Sequence, residues 1–118
     1  MINLKTLIVD DEPELRKSVV SVLKNTNLSV NFDIEEASNG REALDKVKSQ
    51  FYDLILMDVK MPEMNGFEAT EYIRNEMKLT IPIIALTADV TTVDLEKCRA
   101  VGMNDYIAKP VDDRLLYS

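Results

Sequence analysis

The chain contains no histidine, and this absence excludes several kinds of chemistry at once. Histidine-based catalytic triads, imidazole metal ligands and phosphohistidine all need a side chain that these 118 residues do not supply. With a single cysteine, Cys98, an internal disulfide is also excluded, and we expect Cys98 to be a small buried residue on a helix. Polar chemistry in this chain therefore depends on carboxylates, hydroxyls and lysines.

Long apolar runs and an excess of basic residues are lacking as well. No apolar stretch approaches the ~20 residues of a membrane-spanning helix, and the first apolar run is too short for a signal peptide. With 14 basic against 21 acidic residues, the formal net charge of −7 disfavours binding to nucleic acid or to an anionic membrane. We expect a cytoplasmic domain whose acidic surface suits a cation or a basic partner, or simply favours solubility.

Five short apolar runs alternate with helical patterns along the chain, and we predict strands at 5–10, 32–37, 52–58, 81–87 and 105–110. The second helix begins at Asn39, with Glu42 three residues later in a capping-box pattern. Gly102 suits the left-handed position that ends the fourth helix. Such an alternation predicts one α/β domain over 1–118, a doubly wound parallel sheet whose last helix, at 111–118, is short.

Polar residues follow the apolar strands at their carboxyl ends, where open parallel α/β sheets bind ligands. The first strand ends at Asp10 and Asp11, the third at Asp58, the fourth at Thr87 and the fifth at Lys109. If these four strands are neighbours, all five side chains converge on one edge of the sheet. Each residue alone has a plainer explanation, since aspartates cap helices and lysines are common at surfaces. The prediction rests on their combination.

The chemistry of this set is that of phosphoryl transfer. Three carboxylates close together repel one another and need a counter-charge. Lys109 supplies one positive charge, and a Mg²⁺ ion would supply two more. Mg²⁺ takes one or two carboxylates and keeps its other positions for water and phosphate oxygens. A carboxylate nucleophile, a metal, a lysine and a hydroxyl together predict that Asp58 accepts a phosphoryl group as an acyl phosphate.

The segments VDDEP, LILMDVKMPEMNGFEAT, IIALTA and DYIAKP, in this order and spacing, resemble a response-regulator receiver domain of two-component signalling. The likeness covers nearly the whole chain. Within it, MDVKMPEMNGFEAT together with ALTA is similar to the receivers of hybrid histidine kinases. It implies the flavodoxin-like (βα)5 fold with strand order 2-1-3-4-5. The short last helix departs from the family pattern, as expected either if the domain was cut from a longer chain or if the helix itself is truncated.

The resemblance also implies roles for the charged residues. Asp58 would receive phosphate from a histidine on a partner histidine kinase or histidine phosphotransfer protein. One Mg²⁺ would be held directly by Asp11, Asp58 and the backbone carbonyl of Lys60, and through a water by Asp10. Lys109 would contact the phosphoryl group. This is self-catalysed phosphorylation and dephosphorylation within a signalling domain, so we do not expect an enzyme with a substrate of its own.

Further roles implied by the resemblance concern the conformational switch. The backbone N–H groups of Val59 and Ala88 would hold phosphoryl oxygens, and Thr87 would move toward the modified aspartate. Tyr106 matches the aromatic residue that turns inward with the threonine, although aromatics near strand ends often simply pack. A downstream effector would be contacted through the face formed by helix 4, strand 5 and helix 5, with no nucleic acid or membrane bound by this domain.

Three other functions keep the same fold and stay open at this point. A receiver-like interaction module that is never phosphorylated usually lacks one of the acids or the lysine, and all are present here. An aspartate-nucleophile phosphatase needs a second aspartate two residues after the nucleophile, where this chain has Lys60. A flavin-binding protein of this fold needs a loop after the first strand that cradles phosphate, whereas DDEP is acidic and lacks glycine.

Overall fold

The computed structural model describes residues 2–25, 29–61, 64–87 and 92–109. Its strands are β1 (Ile2–Val9), β2 (Val30–Ala37), β3 (Leu54–Asp58), β4 (Ile83–Thr87) and β5 (Asp105–Ala108). They form one parallel sheet in the order β2-β1-β3-β4-β5, which confirms the flavodoxin-like order that the sequence implies.

The connections between the strands are helical, with α1 (Pro13–Lys24), α2 (Gly40–Ser49), α3 (Gly66–Glu71) and α4 (Thr92–Val101). Helix α3 continues as a π-helix over Tyr72–Glu76. The fifth predicted helix, at 111–118, lies outside the described residues. None of the helices in the described ranges has both the length and the apolar character that a membrane crossing requires.

Apolar residues on the two faces of the sheet form two separate layers of the core. Successive strand residues point to opposite faces, so Leu7 and Val9 belong to one layer and Ile8 to the other. The first layer includes buried residues of α2, α3 and α4, among them Cys98 as predicted, and the second includes Val19 of α1. Because both faces are covered, β3 and β4 are apolar up to their last residues, and the second half of β1 is apolar over Leu7–Val9.

The first two strands begin earlier than the sequence pattern predicts. Strand β1 starts at Ile2 rather than residue 5, and β2 starts at Val30 rather than residue 32, within the stretch 24–31 that reads as a polar loop. The two strands pair in register from Ile2 and Val30 onward, so backbone pairing sets their length. Their first residues are largely exposed, which is why no apolar pattern marks them.

The loop after β3 returns closely onto the strand it leaves. The Gly66 N–H donates to the Val59 carbonyl at 3.3 Å, and a Cβ at Gly66 would collide with the carbonyl oxygen of Asp58. Only glycine fits this position without a shift of the backbone. The start of α3 is therefore fixed directly against the end of β3.

A complete capping box begins α3. The Asn65 Oδ1 accepts a hydrogen bond from the Glu68 N–H at 2.9 Å, and the Glu68 Oε1 accepts one from the Asn65 N–H at 3.2 Å. At α2 the predicted box is only half formed. Asn39 accepts from the Glu42 N–H at 2.8 Å, but the Glu42 carboxylate accepts from Ser38 instead of Asn39.

The turn between α4 and β5 is fixed by Arg74. Gly102 has the left-handed conformation predicted for it, with φ of 101°, and its carbonyl accepts a hydrogen bond from Arg74 Nε at 2.9 Å. The same guanidinium donates to the Leu79 carbonyl and to Asn104 Oδ1, each at 2.9 Å. Arg74 thus holds the π-helical turn against the entry to β5.

Replacing Asn65 by alanine should lower the free energy of unfolding by about 1 kcal/mol, because the Glu68 N–H loses its acceptor at the start of α3. The matched variant Asn65→Ser keeps an acceptor oxygen and should lose less than half as much. Urea denaturation of both variants and the wild type measures the difference. An equal loss in the two variants would contradict a capping role.

Candidate functional site

The carboxyl ends of β1, β3 and β5 bring three charged side chains into contact. Asp10 directly follows β1, Asp58 ends β3, and Lys109 directly follows β5. The Lys109 Nζ lies 3.1 Å from Asp10 Oδ2 and 3.2 Å from Asp58 Oδ1. These residues are far apart in the chain, so it is the parallel strand order that brings them together, as the sequence predicts.

The three groups meet in the interior of the protein. Asp10 and Asp58 are buried, and only 14% of the Lys109 side chain is exposed. Buried charges are stable only where they are paired. One ammonium group faces two buried carboxylates, so this part of the site keeps an unbalanced negative charge.

This imbalance is visible in the pKa values. Burial, and then repulsion from Asp10, raises the pKa of Asp58 to about 6, against the opposing effect of Lys109. Burial likewise raises the pKa of Asp10, although the Glu12 N–H and Lys109 act in the other direction. Burial would lower the pKa of Lys109, but its close contacts with the two carboxylates outweigh burial, and its pKa is raised. Lys109 therefore stays charged, whereas burial makes the ionised forms of Asp10 and Asp58 less stable than they would be in water.

Backbone contacts hold Asp10 in one orientation. Its Oδ1 accepts a hydrogen bond from the Glu12 N–H at 2.8 Å, and its carbonyl oxygen accepts one from Arg16 Nη1 at 2.6 Å. Arg16 is held in turn by Glu36, at 2.9 Å. The other carboxylate oxygen, Oδ2, is buried and accepts no well-directed hydrogen bond from the described residues, although Lys109 is close to it.

Two more carboxylates lie next to Asp10 on the solvent side. Asp11 and Glu12 are exposed, and each can bring a carboxylate oxygen within 4.8 Å of the others and of Asp10. The sequence pattern predicts Asp10 and Asp11 as site residues but not Glu12, whose Oε1 lies 3.9 Å from Lys109 Nζ. The run of three consecutive acids was the available signal.

The two backbone amides after Asp58 have different partners. The Val59 N–H, which is predicted to hold a phosphoryl oxygen, donates to the Leu86 carbonyl at 3.1 Å and extends the pairing of β3 with β4. The Lys60 N–H faces the carboxylate instead and donates to Asp58 Oδ1 at 3.3 Å. The Lys60 side chain is exposed. Ala88, the other predicted amide donor, lies outside the described residues.

The two predicted switch residues occupy β4 and β5. Thr87 ends β4 and is buried, one position beyond Leu86, which pairs with Asp58. Thr87 therefore lies at the same edge of the sheet as the charged cluster. Tyr106, on β5, is 43% exposed and lines a small cavity with Leu95 and other residues of α4. Tyr106 is thus partly exposed to solvent beside α4.

Comparison with known families and sequences agrees with this geometry. The family model described as the response regulator receiver domain matches residues 6–118. The chain is 40% identical to hybrid signal transduction histidine kinase I of Dictyostelium discoideum, over 99% of this chain and 7% of the relative. It is 41% identical to the sensor protein EvgS of Escherichia coli K12, over 92% of this chain and 9% of that protein. The chain is therefore far shorter than the curated relatives it matches.

Solved structures show the same similarity. The chemotaxis response regulator CheY4 of Vibrio cholerae superposes with a TM-score of 0.85 at 31% identity, covering 99% of this chain and 94% of that one. The receiver domain of sensor histidine kinase PA1611 from Pseudomonas aeruginosa PAO1 gives 0.80 at 33% identity, covering 98% and 92%. That structure is described with a magnesium ion coordinated in the active site cleft. The strand order, the converging charges and these similarities show that the chain belongs to the response-regulator receiver domain family of two-component signalling.

Proposed function

We propose that this receiver domain accepts a phosphoryl group on Asp58 from a phosphohistidine of a histidine kinase or histidine phosphotransfer protein. The observation that carries the proposal is the buried Asp58 carboxylate, 3.2 Å from Lys109 Nζ at the carboxyl edge of the sheet. An Asp58 oxygen attacks phosphorus, the P–N bond breaks, and its electron pair leaves with the imidazole. Because these 118 residues contain no histidine, the donor histidine lies outside them.

Lys109 and the backbone next to Asp58 prepare the site for this transfer. The Lys109 ammonium group stays charged and neutralises negative charge on the phosphoryl oxygens. To do so, it gives up its contact with the unmodified Asp58 carboxylate. The Lys60 N–H, which faces Asp58, is a donor for the same oxygens. Both groups are in place before the phosphoryl group arrives, so little reorganisation is needed.

The donor set fits one Mg²⁺ ion. Asp11, Asp58 and the Lys60 carbonyl would hold the ion, with Asp10 acting through a water, and oxygen ligands of this kind are those that Mg²⁺ prefers. The buried Asp10 Oδ2, which accepts no well-directed hydrogen bond from the described residues, supports a cation or its water at this place. When bound, Mg²⁺ neutralises the carboxylates and the transferred phosphoryl oxygens. The similarity to a receiver described with magnesium adds to this support.

The signal would leave through Thr87 and Tyr106. Thr87 approaches the phosphoryl group with its hydroxyl, and Tyr106 turns inward, which changes the face made by α4 and β5. The helix predicted at 111–118, which would complete this face, lies outside the described residues. A downstream effector domain or protein would recognise that face. The curated relatives carry their receiver within a sensor kinase, and we propose the same cytoplasmic arrangement here, without contact of this domain to nucleic acid or membrane.

Incubation with Mg²⁺ and acetyl phosphate should add one phosphoryl group to the wild type, detected by intact mass. Asp58→Asn should show no adduct, because its amide is a poor nucleophile. The matched variant Asp45→Asn, at an exposed position of α2, should be labelled like the wild type. Labelling of Asp58→Asn would contradict the assignment. Absence of both an adduct and a beryllofluoride complex in the wild type would favour an interaction module that is never phosphorylated.

The metal-free protein should become more stable when Asp58 is replaced by asparagine. In the folded protein the pKa of Asp58 is about 6, above the ordinary value of 3.8. The ionised Asp58 carboxylate therefore lowers the free energy of unfolding at pH 7. This loss disappears as the pH falls through 6 toward 4, because the carboxylate becomes protonated. We expect a gain of about 1–3 kcal/mol at pH 7 and little difference near pH 4. Urea denaturation in EDTA measures it, with Asp45→Asn as the control. An unstabilised Asp58→Asn at pH 7 would contradict the electrostatic account.

The switch can be followed with a single tryptophan, since the chain has none. In Tyr106→Trp, beryllofluoride with Mg²⁺ should shift the fluorescence emission to shorter wavelength as the ring leaves solvent. Adding Thr87→Val, which keeps the shape but removes the hydroxyl, should abolish the shift, whereas Thr87→Ser should keep it. A full shift in the valine variant would show that the Thr87 hydroxyl does not drive the aromatic residue.

A further inference from the structure

Glu12 occupies the cap position of α1 without capping the helix. It is the residue immediately before Pro13, with extended backbone angles, but its side chain accepts no hydrogen bond from the N–H groups of the described helix. Serine, threonine, aspartate and asparagine are the residues that cap well, because their short side chains reach back to the backbone. Helix stability therefore does not explain the position of the Glu12 carboxylate.

The Glu12 side chain instead extends to the solvent side of the charged cluster. Its Oε1 lies 3.9 Å from Lys109 Nζ, while 68% of the side chain is exposed. Carboxylate oxygens of Asp10, Asp11 and Glu12 lie within 4.8 Å of one another. The hydrogen bond from the Glu12 N–H to Asp10 Oδ1, at 2.8 Å, fixes the backbone from which the glutamate extends.

A second observation points to a cation at this place. The Asp10 Oδ2 is completely buried and accepts no well-directed hydrogen bond from the described residues, and its neighbour Lys109 is shared with Asp58. Because two buried carboxylates share the ammonium group of Lys109, Asp10 Oδ2 is only partly neutralised, and a cation or its bound water would supply a further contact. Because one carboxylate oxygen of each of Asp10, Asp11 and Glu12 lies within 4.8 Å of the others, a cation beside Asp10 is also within reach of Glu12.

We propose that Glu12 is an additional carboxylate of the divalent cation site, where it positions the cation directly or through a water and sets its selectivity. The inference rests on the proposed function, since it concerns the same cation site. Mg²⁺ takes one or two carboxylates and keeps most of its waters, whereas Ca²⁺ accepts more oxygen ligands and Mn²⁺, although six-coordinate like Mg²⁺, exchanges its waters for carboxylates more readily. Glu12 exchanges its contact with Lys109 for the cation, and it favours the larger ions more than Mg²⁺.

Two charge-neutralising variants of the unphosphorylated chain test this role. Glu12→Gln keeps the size of the side chain and removes its charge. Glu14→Gln makes the same change two residues away, where the side chain is 90% exposed and lies 3.9 Å from Lys17 Nζ. Binding of Mn²⁺ is measured from the electron paramagnetic resonance signal of the free ion, and binding of Mg²⁺ and Ca²⁺ by calorimetry.

Glu12→Gln should weaken Mn²⁺ and Ca²⁺ binding roughly 10-fold and Mg²⁺ binding roughly 3-fold. Glu14→Gln should change each affinity by less than about 2-fold, because its charge is screened by solvent. Thermal denaturation of metal-free Glu12→Gln should match the wild type, since no cap is lost.

Equal losses in the two variants would indicate a general effect of net charge and would overturn the role of Glu12, as would unchanged binding in Glu12→Gln. These failures leave the cation site itself intact. Asp11→Asn, which removes a predicted ligand of the cation, serves as the reference for a lost site. If the wild type binds none of the three ions and cannot be distinguished from Asp11→Asn, both the proposed cation site and the role of Glu12 are overturned.

Discussion

One ammonium group between two buried carboxylates is the interaction on which the rest of the site depends. Lys109 lies about equally far from Asp10 and Asp58, and its single charge does not balance theirs. The remaining negative charge is kept out of water, where it attracts cations much more strongly than it would at the surface. The same lysine is able to move its contact to a new anion, so the site is ready for a cation and for a phosphoryl group at once.

The sheet holds Asp10, Asp58 and Lys109 in fixed positions. The central strands are covered on both faces, so their ends are held by the whole core, and β1, β3 and β5 deliver one charged residue each to the same edge. Flexible loops would let two like charges move apart. Here the packed interior holds Asp10 and Asp58 in place, and burial, together with the repulsion from Asp10, raises the pKa of Asp58.

Features set by burial were predictable from the sequence, and features set by backbone pairing were not. The apolar strands and the charged residues at their ends leave a strong pattern, because a strand covered on both faces tolerates few polar residues. The use of the Val59 N–H by Leu86 depends on strand register, which no local pattern specifies. The capping box at Asn65 and the half-formed one at Asn39 have similar sequences, and only the surrounding backbone separates them. The sequence does not single out the proposed cation residue Glu12, because an acid beside a helix start has an ordinary explanation.

The contact of Gly66 with the Asp58 carbonyl has a mechanical consequence. Here two backbone segments are in contact without a side chain between them. The start of α3 therefore cannot move closer to β3, and no side chain lies between them that could change its rotamer to make room. A group added to Asp58, as in the proposed function, therefore gains no space from a movement of the start of α3 toward the strand. The absence of a single Cβ atom keeps the end of β3 and the start of α3 in direct backbone contact, and it leaves the other sides of Asp58 as the places where the structure can adjust.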